Sequence, residues 1–176
     1  MKLKTAFEIV VKMKSRTFTK GHPGIALFSV ALLLVTSACA AKNIQSEHWV
    51  IFSAELAEEQ GIGSWLAGDI AVEYWTPAEE DIRALESGLA LFLQENPDRL
   101  HSQELPVWER LDEYNRQYIG IVLNGNQIIY ANYFCDSVGD WKKQFVFVMD
   151  GGDCFFQFQY DVDTAEYFDL QVNGDA

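Results

Sequence analysis

Residues 117–135 read QYIGIVLNGNQIIYANYFC and contain a clear β-hairpin signal. Two runs rich in β-branched and aromatic residues flank the turn Asn124-Gly125-Asn126. An Asn-Gly pair readily takes the positive φ angles of a type I′ turn, and period-two hydrophobicity is typical of strands. We therefore predict a β-hairpin with strands over residues 118–123 and 127–135.

The same pattern continues towards the C-terminus. Asp150-Gly151-Gly152-Asp153 is a second tight-turn signal, and it predicts strands over residues 143–149 and 154–160. A last strand is expected over residues 167–172. In this arrangement Phe147 lies opposite Phe156 on the next strand.

Towards the N-terminus the period changes to that of helices. Thr76-Pro77-Ala78-Glu79 resembles a capping box, with Thr76 as N-cap and Pro77 at the first helical position. The apolar residues that follow have three-and-four spacing and predict one long helix ending at Asn96-Pro97. They are Ala78, Ile82, Leu85, Leu89 and Phe92. We also predict a strand near Tyr74, a shorter helix over residues 105–114, and two helical turns over residues 53–60 with Ser53 as N-cap.

These elements predict an α+β fold in which one long helix packs across a curved antiparallel sheet of four to five strands. The order β-α-α-β-β-β-β resembles the cystatin-like fold, with the cone-shaped sheet of the nuclear-transport-factor type as a relative. Cystatins carry a Q-x-V-x-G hairpin, and Gln117-Tyr118-Ile119-Gly120 departs from it. Inhibition of cysteine proteases is therefore not implied.

The first 39 residues have the order of a bacterial export signal. Six of the 13 basic residues precede an apolar run over residues 25–35, which ends in small residues. That run is too short for a permanent transmembrane helix, which needs about 20 residues. Cys39 follows a lipobox-like sequence, so we expect its lipidation, although cleavage at Ala38-Cys39-Ala40 is an alternative and Met13 could be the true start. We expect residues 1–39 to form the signal, 40–66 a tether and packing segment, and 67–176 the α+β domain.

The composition limits the class of partner. The chain has 176 residues and a net charge of −13, which disfavours nucleic acid because phosphate binding needs concentrated positive charge. We expect membrane attachment only through the leader or a lipid on Cys39. We find no catalytic, metal-ligand or cofactor-binding signature, and a calcium loop over residues 161–166 is disfavoured because it lacks the mid-loop glycine.

Four short strings are similar to small exported bacterial proteins of unassigned activity, a resemblance that implies no mechanism. They are Arg116-Gln117-Tyr118, the stretch 130–135, Asp150-Gly151-Gly152-Asp153 and Asn173-Gly174.

Cys135 and Cys154 would form an even pair in an oxidising compartment once Cys39 is lipidated or removed. A strand over residues 143–149 would place the two thiols at opposite ends of strands, beyond the roughly 7 Å that a disulfide can span. We therefore favour two half-buried apolar cysteines, with the bridge as an alternative.

One side of the predicted sheet is expected to form a shallow aromatic-walled groove that a partner peptide, an apolar ligand or the 49–65 segment would cover. Its residues are Tyr118, Gly120, Val122, Ile129, Ala131, Tyr133, Val146, Val148, Phe155 and Gln157.

We consider two functions. The first is an exported, lipid-anchored acidic module that binds or inhibits an envelope protein or peptide, in the envelope or periplasm or secreted. The alternative is a small hydrolase or isomerase with a cone-shaped cavity and Asp136 or Asp150 as base.

Overall fold

The computed structural model describes residues 43–67, 72–100 and 105–174. The expected tether, residues 40–66, partly joins the sheet as β1 (Ile44–Gln45) and β2 (Trp49–Ile51). Two six-residue helices follow, α1 (Ala54–Glu59) and α2 (Ile62–Ala67), and Ser53 caps α1 by accepting a hydrogen bond from the Leu56 N–H at 3.3 Å. The export signal and Cys39 lie outside the described residues.

The central elements are β3 (Glu73–Trp75) and α3 (Glu79–Gln94), the only helix longer than six residues in the described part of the chain. Helix α3 begins two residues later than predicted, with Ala78 as N-cap and the Asp81 carboxylate accepting from the Ala78 N–H at 2.9 Å. The Thr76 hydroxyl instead accepts from the Ala54 N–H at 2.9 Å. The predicted helix over residues 105–114 is wrong, since two 3₁₀ turns, Val107–Glu109 and Leu111–Glu113, occupy it.

Four long strands form the body of the sheet. They are β4 (Asn115–Leu123), β5 (Asn126–Phe134), β6 (Phe155–Asp161) and β7 (Glu166–Val172), each antiparallel to the next. The hairpin prediction for β4 and β5 is confirmed: Leu123 pairs with Asn126, and Asn124 and Gly125 have φ angles of 54° and 89°.

The predicted fold class is wrong. The expected fold of one long helix across four to five antiparallel strands is wrong because the described part of the chain is dominated by a seven-stranded mixed sheet, with α3 as its one long helix. The cause is the N-terminal segment: β2 pairs in parallel with β4 through Trp49 and Arg116, and β3 pairs antiparallel further along the same edge. Strand β2 has only three residues and all are apolar, so its sequence shows no two-residue period. The sequence alone therefore does not distinguish it from a segment that packs on the domain.

The two faces of the sheet bury different clusters. The first face carries Tyr118, Ile129, Ala131, Tyr133, Phe156 and Phe158, in one core with Ile82, Leu85, Leu89 and Leu93 of α3. The second face carries Ile119, Ile121 and Ile128, in a core with Val50, Phe52, Ala57 and Ile62, while Phe134 and Phe155 pack with Val146. Side-chain alternation along each strand produces this separation.

The strand predicted over residues 143–149 does not exist. Strand β6 already pairs with β5 on one edge and β7 on the other, so no free edge of β6 remains for it. Side-chain amides bind its backbone instead. Gln117 donates from Nε2 to the carbonyls of Trp141 and Gln144 at 2.6 and 2.8 Å, and accepts from the Val146 N–H at 2.9 Å.

Candidate functional site

The residues expected to form one binding face lie on both sides of the sheet. Tyr133 pairs directly with Phe156, so the neighbouring Phe155 and Gln157 point to the opposite face. Tyr118, Ile129, Ala131 and Tyr133 are buried on the first face, Gly120 is also buried and Val122 is half-buried. Val146 and Val148 belong to the irregular segment above the second face.

The expected groove between Tyr118 and Tyr133 is filled. A Cβ on Gly120 would lie 2.8 Å from the Trp75 ring, so that ring packs directly on the glycine backbone. Tyr118 and Tyr133 are fully buried and lie in the same core as Leu85 and Leu89 of α3. The first face therefore holds no open aromatic groove at these positions.

A polar cluster joins α3 to the first face. Both Tyr118 and Tyr133 donate their hydroxyls to Oε1 of Glu86, and the two hydroxyls lie 3.1 Å apart. Nη1 of Arg116 lies 3.7 Å from Oε2 of Glu86. Burial, together with the nearby Glu86 charge, raises the pKa of both phenols well above the ordinary value, so both remain protonated donors.

A cleft of about 430 Å³ opens above this cluster and is lined by Trp49, Ile82, Arg83, Glu86, Arg116 and Tyr118, among others. The Glu86 carboxylate already accepts hydrogen bonds from two phenols and faces a guanidinium. Such an arrangement satisfies a partly buried charge between helix and sheet. We interpret the cluster as an anchor for α3.

The second face carries a row of amides on β4, β5 and β6 and directly after β7, which we call the amide row: Gln117, Asn132, Gln157 and Asn173. Asn132 donates to Gln117 Oε1 at 3.0 Å and to the Val146 carbonyl at 2.9 Å, and Gln157 donates to Asn132 Oδ1 at 3.3 Å. Asn173 donates to the Val148 carbonyl at 2.5 Å. The amide row thus holds residues 141–149 above the sheet outside any strand, and Asp150 forms an isolated parallel bridge with Gly174.

A groove of about 320 Å³ lies between this segment and the end of the sheet. Phe147 and Met149 stand at its edge with 52% and 74% of their surfaces exposed. Its lining consists mostly of apolar and aromatic side chains, together with five amides. They are Leu66, Tyr130, Asn132, Phe145, Val146, Phe147, Val148, Met149, Gln157, Gln159, Asp169, Gln171, Val172, Asn173 and Gly174.

Asp169 and Gln159 meet in this groove at an irregularity between β6 and β7. The pairing register shifts between Gln157 and Gln159, and Asp169 has φ = 53°, a conformation that Asp tolerates better than most residues. Gln159 Nε2 donates to Asp169 Oδ2 at 2.8 Å, and Gln171 Nε2 lies 3.2 Å from both Asp169 oxygens. The irregular pairing therefore places the Asp169 carboxylate beside the side-chain amides of Gln159 and Gln171.

Gln159 has an unused acceptor. Only 8% of this residue is exposed, and its buried Oε1 has no hydrogen-bond partner among the described residues. The donor to Asp169 fixes which end of the amide is nitrogen, because an oxygen there would face a carboxylate. Protein atoms enclose Oε1, so a ligand that donates a hydrogen bond reaches this carbonyl only if the groove wall shifts.

The other candidate residues do not converge on a site. Asp136 and Asp150 are exposed, and the Asp136 carboxylate accepts from the Ser137 N–H at 2.7 Å. Asp153 is buried and lies 3.2 Å from Nη2 of Arg110. The Asp161 carboxylate accepts from the N–H groups of Asp163 and Thr164, as a polar turn does.

Cys135 and Cys154 are joined in a disulfide with Cα atoms 5.0 Å apart. Because no strand separates β5 from β6, the end of one strand lies beside the start of the next, and the Cys135 N–H donates to the Cys154 carbonyl at 2.9 Å. The expectation of two unbridged cysteines is therefore wrong, for the same reason as the strand predicted between them.

Within the described ranges, no group of three or more His, Cys, Asp or Glu side chains is placed to hold a metal ion. Likewise, no helix in the part of the chain that the structure describes is both long and apolar enough to span a bilayer. No family model matches the sequence, and neither a curated protein nor a solved structure matches the chain.

Proposed function

We propose that this protein is an exported acidic binding module, anchored to the cell envelope by a lipid on Cys39, and that the groove between residues 145–149 and strands β6 and β7 receives one side chain of an envelope protein or peptide. In this proposal the protein acts by binding its partner.

The groove is the observation that carries this proposal. Its volume of about 320 Å³ lies at the lower end of the range for ligand pockets, and it combines apolar walls with a few fixed polar groups. Exposed Phe147 and Met149 at its edge supply apolar area that a bound ligand would remove from water.

Export is supported by the basic flank, the short apolar run and the small-residue exit before Cys39. The Cys135–Cys154 bridge fits an oxidising compartment, because disulfides persist outside the cytosol. The strong net negative charge favours a soluble domain and cationic partners.

The alternative, a carboxylate-dependent hydrolase or isomerase, draws no specific support from the described residues. Asp136 and Asp150 are exposed, whereas an acid or base needs a site that holds the reacting group. Asp153 is ion-paired with Arg110.

The test uses protein purified from cells that express the full chain, with its N-terminus identified by mass spectrometry. Binding of twenty peptides of the form acetyl-Ala-X-Ala-amide is measured by calorimetry, one for each amino acid X. We expect a subset to bind, and Met149→Ser to weaken that binding about tenfold, since burying a Met side chain contributes about 1.5 to 3 kcal/mol.

Leu91→Ser is the matched control, because Leu91 is 61% exposed and lies on α3, away from the groove. Its binding should equal that of the unmodified protein. If none of the twenty peptides binds, or if both variants lose binding equally, the groove is not the binding site. An N-terminus other than lipidated Cys39 would refute the anchor alone.

A further inference from the structure

We infer that the groove selects a cationic side chain, an ammonium or guanidinium group on an aliphatic stem, with Asp169 and Gln159 as its polar partners. This inference rests on the proposed binding function and specifies its ligand chemistry.

The first argument is the charge of the groove. Among the described residues that line it, Asp169 is the only charged one, and no Lys or Arg of the described chain forms an ion pair with it. Its hydrogen-bond donors are the neutral amides of Gln159 and Gln171. A carboxylate with only neutral donors still attracts a cation, and charged hydrogen bonds are stronger than neutral ones.

The second argument is independent of Asp169's charge. Gln159 Oε1 is a buried acceptor without a partner in the described structure, and an unsatisfied buried acceptor is costly. Neither an anionic group nor an apolar side chain can donate to it. An ammonium has three donors and a guanidinium five, so either can bond to the Gln159 carbonyl and the Asp169 carboxylate together once the groove wall shifts to expose the enclosed Gln159 Oε1.

The third argument concerns the walls. Phe145, Val148 and Met149 line the groove beside these polar groups, which suits the methylene stem of Lys or Arg. Tyr130 also lines it, and burial followed by the Asp169 charge raises the pKa of this phenol. Tyr130 therefore remains neutral and brings no competing negative charge.

The experiment compares four probes of the form acetyl-Ala-X-Ala-amide, with X as lysine, arginine, norleucine or glutamate. Norleucine matches the lysine stem without the ammonium. We expect the lysine and arginine peptides to bind about tenfold more tightly than the norleucine peptide, and the glutamate peptide to bind most weakly.

Asp169→Asn and Gln159→Met are the informative variants. Asn keeps a hydrogen-bonding side chain at a residue with positive φ, and Met removes the free carbonyl with little change of volume. Each should reduce the preference for lysine over norleucine by fivefold or more. Asp163→Asn is the control, since it removes one exposed carboxylate of the neighbouring turn, outside the groove lining, and should leave the preference unchanged. A urea midpoint for each variant verifies folding.

Each contrary result has a distinct meaning. If norleucine binds as well as lysine, the groove binds side chains but the cationic selectivity is refuted. If Asp163→Asn reduces the preference as much as Asp169→Asn, the overall charge and not the groove selects the cation, which also overturns the inference. If no probe binds here and none of the twenty binds, the inference and the proposed function both fail.

Discussion

Glu86→Gln should destabilise the protein more than any other single charge removal on the surface of α3. Glu86 accepts hydrogen bonds from Tyr118 and Tyr133, two fully buried phenols, and pairs with Arg116 at 3.7 Å. The substitution keeps the length of the side chain and one oxygen acceptor. It removes the charge and places an amide nitrogen beside a guanidinium or a phenol.

The expected loss of unfolding free energy on Glu86→Gln follows from three interactions. A hydrogen bond to a charged group contributes about 1.5 to 3 kcal/mol and a neutral one about 0.5 to 1.5, so two phenol bonds lose roughly 2 kcal/mol together. The ion pair is partly solvated, with side chains 28% and 15% exposed, and adds about 1 kcal/mol after screening. The expected total loss is about 3 kcal/mol.

Urea unfolding of the purified protein measures this loss, with Glu80→Gln as the matched control. Glu80 lies on the same helix and pairs with Arg83 at 2.7 Å, but its side chain is 76% exposed, so its removal should cost less than about 1 kcal/mol. A double-mutant cycle with Tyr118→Phe should show coupling of about 1 kcal/mol or more. If Glu86→Gln and Glu80→Gln shift the urea midpoint equally, the cluster does not anchor α3.

Two further predictions concern the disulfide and the buried tyrosines. Replacing Cys135 and Cys154 by Ala should lower the free energy of unfolding by about 3 kcal/mol, because the bridge closes a loop of sequence separation 19. Detection of two free thiols from Cys135 and Cys154 in the non-reduced protein would contradict the bridge. Because the folded-state pKa values of Tyr118 and Tyr133 are raised, stability should be complete below pH 10 and fall above it, by up to about 1.4 kcal/mol per pH unit for each tyrosine. Urea unfolding midpoints measured between pH 8 and 11.5 test this loss of stability. Tyr118→Phe should make the midpoint fall less steeply with pH. A midpoint that does not change with pH would refute the prediction.

The local elements were predictable where a short sequence pattern determines the backbone. Asn124-Gly125 favours positive φ at two consecutive residues, and the hairpin forms at that turn. The apolar spacing of Ile82, Leu85 and Leu89 predicts a helix, and those residues are buried on one side of α3. Both signals arise within a few residues and need no distant partner.

The candidate groove was not predictable in the same way. Residues 145–149 form an apolar run of β-branched and aromatic residues typical of a strand, yet residues 143–149 form no strand, and their backbone binds the side chains of Gln117, Asn132 and Asn173. A signal was available at Asn132, which interrupts the apolar and aromatic stretch 128–134. Which backbone such an amide binds depends on which strands become neighbours in the folded sheet.

The sequence by itself determined the Asn124-Gly125 turn, the long helix and the acidic character of this protein, because these depend on local conformational preference and composition. Only the tertiary structure decided that Trp49–Ile51 joins β4, that Cys135 meets Cys154, and that Asp169 reaches Gln159. Each of these contacts joins segments whose pairing and register depend on which sheet edges are already occupied. A one-residue change of register reverses every side chain of a strand, so the faces of this sheet follow from the complete fold.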